Sequence, residues 1–166
     1  MKGLLRVVLI ATFASMTALL PARADTPEEW IELGTRIHGF FGGFIPVGMR
    51  IGFDAKERLH AEPRQISILY YSGAKMPCPC IVDGVMLATQ ASPGQGTVQI
   101  APEKAPAGLA ALIIVTNRKT GEALRYTVAE SWIPKMLGWN KLEPQARWDA
   151  AMAAQGLFEV SRAAKP

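Results

Sequence analysis

The residues best suited to chemistry in this sequence are two cysteines separated by one proline, Cys78-Pro79-Cys80. Two thiolates at this spacing can face one point, so they can chelate a soft metal ion such as copper(I) or zinc(II). The thioether of the nearby Met76 would add a soft ligand suited to copper. The spacing also permits a Cys78–Cys80 disulfide, whose small ring would be strained and easily reduced, or a pair of inert cysteines beside a turn.

Motifs of the common enzyme classes are missing from the sequence. No serine stands in a nucleophile-elbow pattern, and neither an HExxH zinc motif nor a paired-carboxylate motif occurs. The Gly94-Gln95-Gly96 segment lacks the lysine and the spacing of a phosphate-binding loop. We therefore expect a non-catalytic protein and predict no catalytic residues.

The N-terminal segment has the layout of a secretory signal peptide. Residues 1–24 have a basic start, an apolar stretch over residues 7–20, and small residues at Ala22 and Ala24. This layout predicts cleavage after Ala24 and a mature domain of residues 25–166 in the periplasm. Because that compartment is oxidising, a disulfide between the cysteines is a realistic alternative to metal binding.

Charge and hydropathy narrow the choice of partners. The whole chain has 18 Lys and Arg against 14 Asp and Glu; without residues 1–24 the count becomes 15 against 14. A nearly neutral domain offers no basic surface for nucleic acid. No later apolar stretch reaches the length of a membrane span, so we expect no stable membrane insertion after cleavage. The expected partner is a metal ion or a small ligand.

The first element to position the site is a helix over residues 27–38. Thr26 and Glu29 form a capping-box pattern around a proline at the first helical position. The apolar residues at helical spacing behind it predict an amphipathic helix; they are Trp30, Leu33 and Ile37.

The remaining pattern predicts an α+β fold: a single domain with a mostly antiparallel sheet and a central hairpin, packed against helices. We predict the most apolar strand, residues 109–116, to be buried on both faces. Gly48 and Gly52 are spaced for close packing against a neighbour. The other predicted helices cover residues 46–60, 81–90, 131–137 and 143–155, and the other strands residues 65–71, 97–100 and 122–129.

Four segments, in chain order, resemble motifs of the formylmethanofuran dehydrogenase E-subunit family. Together they span roughly residues 30–130. They are His38-Gly39 with Gly48, similar to the HGHxCPG…G opening; Cys80-Ile81-Val82-Asp83-Gly84, similar to the CxxD segment; Gly94-Gln95-Gly96, similar to the GKG loop; and Asn117-Arg118-Lys119-Thr120-Gly121, similar to the NRKTG hairpin turn.

The resemblance implies where a metal site would lie. Members of the family resemble metal-binding proteins whose histidines and cysteines converge on one site, which implies His38, Cys80 and Asp83 as ligands in this chain. Cys78 is an addition of this chain to the family pattern, and its spacing from Cys80 makes it the fourth candidate ligand. His38 would supply an imidazole, and Asp83 would be an oxygen ligand or would orient the histidine. From the residues alone, His38 could instead cap the last turn of its helix.

The chain also departs from the family pattern. Phe40 stands at the second histidine, Gly42 and Gly43 at the cysteine and proline of the CPG element, and Ala91 at a later cysteine. Phe40, Phe41 and Phe44 would line an apolar pocket or fill the core or a dimer seam. A position in the periplasm is incompatible with methanofuran chemistry, which is cytoplasmic.

These observations predict a periplasmic metal- or cofactor-binding protein, non-catalytic, with one transition metal ion, zinc or copper. One alternative is a thiol–disulfide redox protein or sensor that uses Cys78 and Cys80. Another is a degenerate family member that acts as a structural or partner-binding module. The resemblance and the apolar hairpin make a homodimer a further expectation.

Overall fold

A five-stranded sheet with strand order β2-β1-β3-β4-β5 organises residues 25–163, which are the residues that the computed structural model describes. The predicted signal peptide, residues 1–24, lies outside them. The helices are α1 (Pro27–His38), α2 (Phe44–Leu59), α3 (Ile81–Thr89), α4 (Ile133–Trp139) and α5 (Pro144–Ala153). The strands are β1 (Ile66–Ser72), β2 (Val98–Ile100), β3 (Leu109–Asn117), β4 (Ala123–Ala129) and β5 (Glu159–Arg162). The predicted α+β fold is confirmed.

The sheet is mostly antiparallel, as predicted, and only β1 and β2 run parallel. The hairpin β3–β4 lies at its centre. The Oδ1 atom of Asn117 accepts hydrogen bonds from the amides of Lys119 and Thr120, and Gly121 has a φ of 73°. Asn117 also donates through Nδ2 to the Leu59 carbonyl at 3.1 Å, which ties the hairpin turn to the end of α2.

The core lies between the sheet and the helices. Tyr70, Ile113 and Tyr126 are register partners across β1, β3 and β4, and all three are 0 % exposed. Helix α2 contacts β3 and β4, and α3 contacts β1. Alternate residues of a strand point to opposite faces. This row of large side chains therefore lies on one face of the sheet, and the helices pack against it.

Glycines allow α2 and α3 to approach until their backbones almost touch. A Cβ atom at Gly48 would overlap the carbonyl oxygen of Ile81, and one at Gly84 would overlap the carbonyl oxygen of Ile45. Gly52 faces Ala88 in the same way one turn further along, which confirms the close packing predicted for Gly48 and Gly52. This contact fixes the position of the first turn of α3 relative to α2.

Two predictions about apolar faces are wrong. Strand β3 is not buried on both faces, because Leu112 and Ile114 on the side opposite the helices are only half-buried. On α1, Leu33 and Ile37 are 38 % and 55 % exposed, and the helix instead turns Gly34 inward. In both elements the apolar residues could have been buried. Which face is actually covered depends on where the neighbouring elements pack.

Strand β5 is an element that the sequence pattern does not predict. Its four residues, Glu159–Arg162, are short and mostly polar, and they form a strand because they pair with the free edge of β4. Within residues 25–163 the longest helices fall short of the length and apolar character that a membrane span requires.

Candidate functional site

Helix α1 carries His38 at its last position. The capping box predicted at its start is present: the Thr26 hydroxyl accepts from the Glu29 amide at 3.3 Å, and the Glu29 carboxylate accepts from the Thr26 amide at 2.7 Å. The helix ends at Gly39, whose φ of 83° is left-handed and therefore favours glycine. The sharp end leaves the His38 side chain 25 % exposed at the surface of the domain.

The first turn of α3 carries the other candidate residues. Cys80 is the N-cap residue and has helical dihedral angles, φ −58° and ψ −20°. Asp83 lies three residues further along, so its side chain and that of Cys80 project from the same side of the helix start. A carboxylate in the first turn is also stabilised by the partial positive charge of the helix N-terminus.

His38 and Asp83 meet across the gap between α1 and α3. The Nδ1–H group of His38 donates a hydrogen bond to Oδ2 of Asp83, with 2.7 Å between the two atoms. This contact orients the imidazole and places the lone pair of the neutral ring on Nε2. It confirms that two of the predicted site residues, which are 45 positions apart, lie together.

The two cysteines bond to each other. Cys78 and Cys80 form a disulfide with 5.3 Å between their Cα atoms, and these are the only cysteines in the chain. Both side chains are half-buried, and Pro77 and Pro79 beside them are exposed. The sulfurs also pack, with Met76, against the main buried cluster, so the disulfide lies on the rim of the core and within reach of solvent.

In the disulfide state the four predicted residues therefore form two pairs. Across residues 25–163 no three side chains of the His, Cys, Asp and Glu types are grouped so as to hold a metal ion. In addition, a sulfur in a disulfide is no thiolate and cannot serve as a strong metal ligand. Metal binding by His38, Cys78, Cys80 and Asp83 stays a prediction that concerns the reduced chain.

A buried arginine that sequence reasoning misses supports this region. Arg147, on α5, is 4 % exposed, and burial lowers its pKa from the usual value. The ring of Phe40 lies over the guanidinium, 4.7 Å away. The guanidinium of Arg147 donates hydrogen bonds to the main-chain carbonyls of Phe41, Trp139, Asn140 and Leu142. Because all of these acceptors are backbone groups, no residue pattern points to them.

This arginine connects the C-terminal helices to the loop that follows His38. Asn140 adds a second link, since its Oδ1 accepts from the Gly43 amide at 2.8 Å. Phe41 and Phe44 are buried, so the prediction that they fill the core is confirmed, whereas Phe40 is 51 % exposed. Arg147 and Asn140 thereby fix the loop that follows α1 through its main-chain groups at Phe41 and Gly43.

A surface groove of about 470 Å³ lies elsewhere, beside the β4–β5 edge. Its charged residues are Arg58, Glu122 and Arg162, and each has an ion-pair partner, because Arg58 binds Asp54 and Arg162 binds Glu122. None of the predicted site residues lines this groove, so the chemistry-bearing side chains remain those at the start of α3.

A family model described as FmdE, molybdenum formylmethanofuran dehydrogenase operon, matches residues 37–158. The chain belongs to the FmdE family. The match covers His38, the Cys78–Cys80 pair and Asp83, and it extends from the end of α1 to the residue before β5. Among curated proteins, none matches the chain. The family resemblance drawn from the four motifs is thus confirmed.

Proposed function

We propose that this FmdE-family chain is an exported, non-catalytic binding protein that holds one thiophilic transition metal ion, zinc or copper, when its disulfide is reduced. The observation that carries the proposal is the position of Cys80 and Asp83 on one turn of α3, with Asp83 already bonded to His38 of α1. A cysteine sulfur, a carboxylate and an oriented imidazole therefore lie at one helix end.

The donor set fits such a metal only in the dithiol form. With the disulfide closed, the oxygen and nitrogen donors of this site are two at most, too few for a metal ion. Reduction would add two thiolates, giving a set of sulfur, nitrogen and oxygen donors that suits zinc or copper. When bound, the metal would crosslink α1 to the start of α3.

The protein's own groups have separate tasks in this proposal. The N-terminus of α3 favours the thiolate of Cys80, because the helix dipole stabilises negative charge there. The Asp83 carboxylate holds His38 in the tautomer whose Nε2 can donate its lone pair. The two prolines on either side of Cys78 restrict the backbone and so keep the two sulfurs facing each other.

The predicted signal peptide supports a periplasmic location. In an oxidising compartment the pair would stay closed unless a thiol reductant opened it. The redox state of Cys78 and Cys80 would then decide whether the protein can bind its metal.

The proposal is tested by zinc binding to the mature protein, residues 25–166, purified from periplasm without an affinity tag. Metal content by mass spectrometry and a free-thiol count are compared anaerobically with and without dithiothreitol, which reduces the disulfide to two thiols while it becomes a cyclic disulfide. We expect about one zinc per reduced chain and little in the oxidised chain.

Variants identify the ligands. Cys80→Ser and His38→Ala should each weaken zinc binding at least about tenfold, whereas His60→Ala, which changes the other histidine of the chain, should have no effect. Zinc retention by the reduced Cys80→Ser protein would exclude Cys80 as a ligand. Absence of zinc from the reduced wild-type protein would contradict the proposal as a whole.

A second candidate function is thiol–disulfide exchange. It is favoured by the disulfide itself, which is closed and half-exposed. This function predicts that the metal-free protein accelerates the reduction of a protein disulfide by dithiothreitol, and that Cys78→Ser abolishes the acceleration. Exchange without zinc binding would favour this candidate, and zinc binding without exchange would favour the first. If neither occurs, the remaining interpretation is a structural or partner-binding module.

A further inference from the structure

The Cys78–Cys80 disulfide is enclosed unequally at its two ends. Both side chains pack against the main buried cluster, but Cys80 also packs against a second buried cluster. The members of this second cluster come from α2, α3, α5 and the loop after α1; they are Phe41, Ile45, Met49, Ala88 and Trp148. Within residues 25–163, Cys78 packs against the main cluster alone. The second cluster therefore lies on the side of Cys80 that is turned away from Cys78.

The backbone around the two cysteines differs in the same sense. Cys78 stands between Pro77 and Pro79, and both prolines are exposed. Cys80, by contrast, is held at the first turn of α3. It is the N-cap residue of that helix, and the carbonyl of Pro79 before it accepts a hydrogen bond from the Val82 amide at 2.9 Å. Solvent therefore adjoins the Cys78 end of the disulfide, whereas the helix and the second cluster adjoin the Cys80 end.

This asymmetry matters because the opening of a disulfide has a required direction of attack. A thiolate attacks one sulfur along the line of the S–S bond, from the side opposite the sulfur that leaves. Attack on Cys80 would have to come from the side that the second cluster occupies, and a packed core leaves no room for an entering thiol. Attack on Cys78 comes from the side of the exposed prolines. Access therefore favours Cys78 as the sulfur that is attacked.

The charge on the leaving sulfur adds a smaller preference in the same direction. When Cys78 is attacked, Cys80 leaves as a thiolate at the start of α3. The unpaired amides of the first helical turn favour a negative charge there, and a more stable thiolate leaves more readily. The carboxylate of Asp83 in the same turn opposes this effect, so access contributes more to the choice of sulfur than charge does.

We propose that a thiol reductant opens this disulfide by attack on the sulfur of Cys78, with Cys80 as the leaving sulfur. The inference rests on the proposed function only in requiring that the disulfide opens. The reductant's thiolate bonds to Cys78 while the Cys78–Cys80 bond breaks, and the electron pair of that bond stays on Cys80. A second reductant thiolate then attacks the reductant's sulfur in the mixed disulfide, so that the reductant leaves as its own disulfide and Cys78 becomes a thiolate.

The test determines which cysteine carries the mixed disulfide in the oxidised mature protein, with a chelator present so that metal plays no part. Glutathione is the reductant, and an excess of N-ethylmaleimide then alkylates the sulfur that each attack has freed. Tandem mass spectrometry breaks the labelled peptide before Pro79, which separates Cys78 from Cys80 and assigns each label. The same labelling of the urea-unfolded protein is the control, because unfolding makes both sulfurs accessible.

In the folded protein we expect chains with glutathione on Cys78 and maleimide on Cys80 to outnumber the reverse product by about tenfold or more, since access and leaving group both favour this order. In the unfolded protein the two products should be about equally abundant, because the second cluster and α3 are no longer present. A preference of the same size in both states would show that the local sequence causes it, and would overturn the role assigned to the fold.

Equal labelling of the folded protein, or glutathione mainly on Cys80, would overturn the assignment of Cys78 as the attacked sulfur. Either result leaves the metal-binding proposal standing, because the disulfide has opened. The absence of both products from the folded protein, with neither glutathione nor dithiothreitol able to open the disulfide, would overturn this inference and the proposed function together.

Discussion

Asp83 serves two purposes at the scale of the residue. It lies in the first turn of α3, where the helix N-terminus favours a negative charge, and it accepts the hydrogen bond that orients His38. The pair is only partly exposed, 25 % for His38 and 29 % for Asp83. A side-chain hydrogen bond with this exposure contributes little to stability, so its value should lie in the orientation of the imidazole.

Replacing Asp83→Asn should separate these two effects. We expect the reduced protein to bind zinc about tenfold more weakly, because the amide no longer provides an anionic acceptor for His38. The free energy of unfolding should change by less than about 1 kcal/mol. Isothermal titration calorimetry and urea unfolding measure the two quantities.

Glu122→Gln is the matched control, since it removes a carboxylate from an ion pair with Arg162 in the groove beside the β4–β5 edge, which none of the predicted site residues lines. It should leave zinc binding unchanged. A loss of several kcal/mol of stability in Asp83→Asn, with zinc binding intact, would show that the carboxylate holds α1 and α3 together and has no part in binding.

At the scale of the element, the contact between α2 and α3 decides where the site residues lie. Gly48 and Gly84 face each other's helix so closely that a methyl group at either position would overlap a backbone carbonyl. Backbone atoms cannot move aside as a flexible side chain can. The start of α3, and with it Cys80 and Asp83, is therefore placed by α2.

Gly84→Ala should destabilise the protein by about 2 kcal/mol or more, because the added methyl group forces the two helices apart. The same shift should weaken zinc binding by the reduced protein, since it moves Asp83 relative to His38. Thermal and urea unfolding, with a zinc titration, provide the measurements.

Gly138→Ala in α4 serves as the comparison, because a Cβ at Gly138 meets nothing within 4 Å. There the greater helix propensity of alanine should raise stability by about 0.5–1 kcal/mol. Equal effects of the two substitutions would contradict the close approach of α2 and α3.

At the scale of the whole molecule, two tyrosines of the buried row across the sheet, Tyr70 and Tyr126, make the free energy of unfolding depend on pH in the alkaline range. Burial is the first cause that raises the pKa values of both Tyr70 and Tyr126, and the hydrogen bond of Tyr126 to Asp54 raises that of Tyr126 further. Each phenol ionises at about pH 10 in the unfolded chain, and it ionises only at higher pH in the folded protein. The stabilisation is therefore complete below about pH 10 and is lost as the pH rises above it.

We expect the free energy of unfolding to fall above about pH 10 with a slope of up to about 1.4 kcal/mol per pH unit for each of the two tyrosines. Tyr126→Phe should remove about half of this dependence, although it also costs the hydrogen bond to Asp54 at neutral pH. Urea unfolding at a series of pH values measures the slope. An unchanged slope in the variant would show that Tyr126 does not contribute.

The whole domain also leaves apolar side chains at the surface. Leu33 and Ile37 of α1 and the nearby Phe40 are more than a third exposed. The homodimer expected from the family resemblance stays a prediction, which sedimentation of the mature protein in each redox state would decide.

Local signals in the sequence determined several features of this protein by themselves. The capping box at Thr26 and Glu29, the left-handed stop at Gly39 and the turn at Asn117 depend on interactions within a few residues, so their residue types suffice to predict them. The four family motifs depend likewise on order and spacing. These signals indicated the α+β class and located His38 beside the start of α3.

Only the tertiary structure decided which surfaces and groups meet. Three features depend on elements that are distant in the chain: the exposure of Leu33 and Ile37, the burial of only one face of β3, and the pairing of β5 with β4. The type of a residue does not show where such distant elements will lie. The same holds for the main-chain carbonyls that accept hydrogen bonds from Arg147. The spacing of Cys78 and Cys80 permits metal, disulfide or neither, and the structure shows them as a disulfide, because the fold brings the two sulfurs to each other and His38 to Asp83.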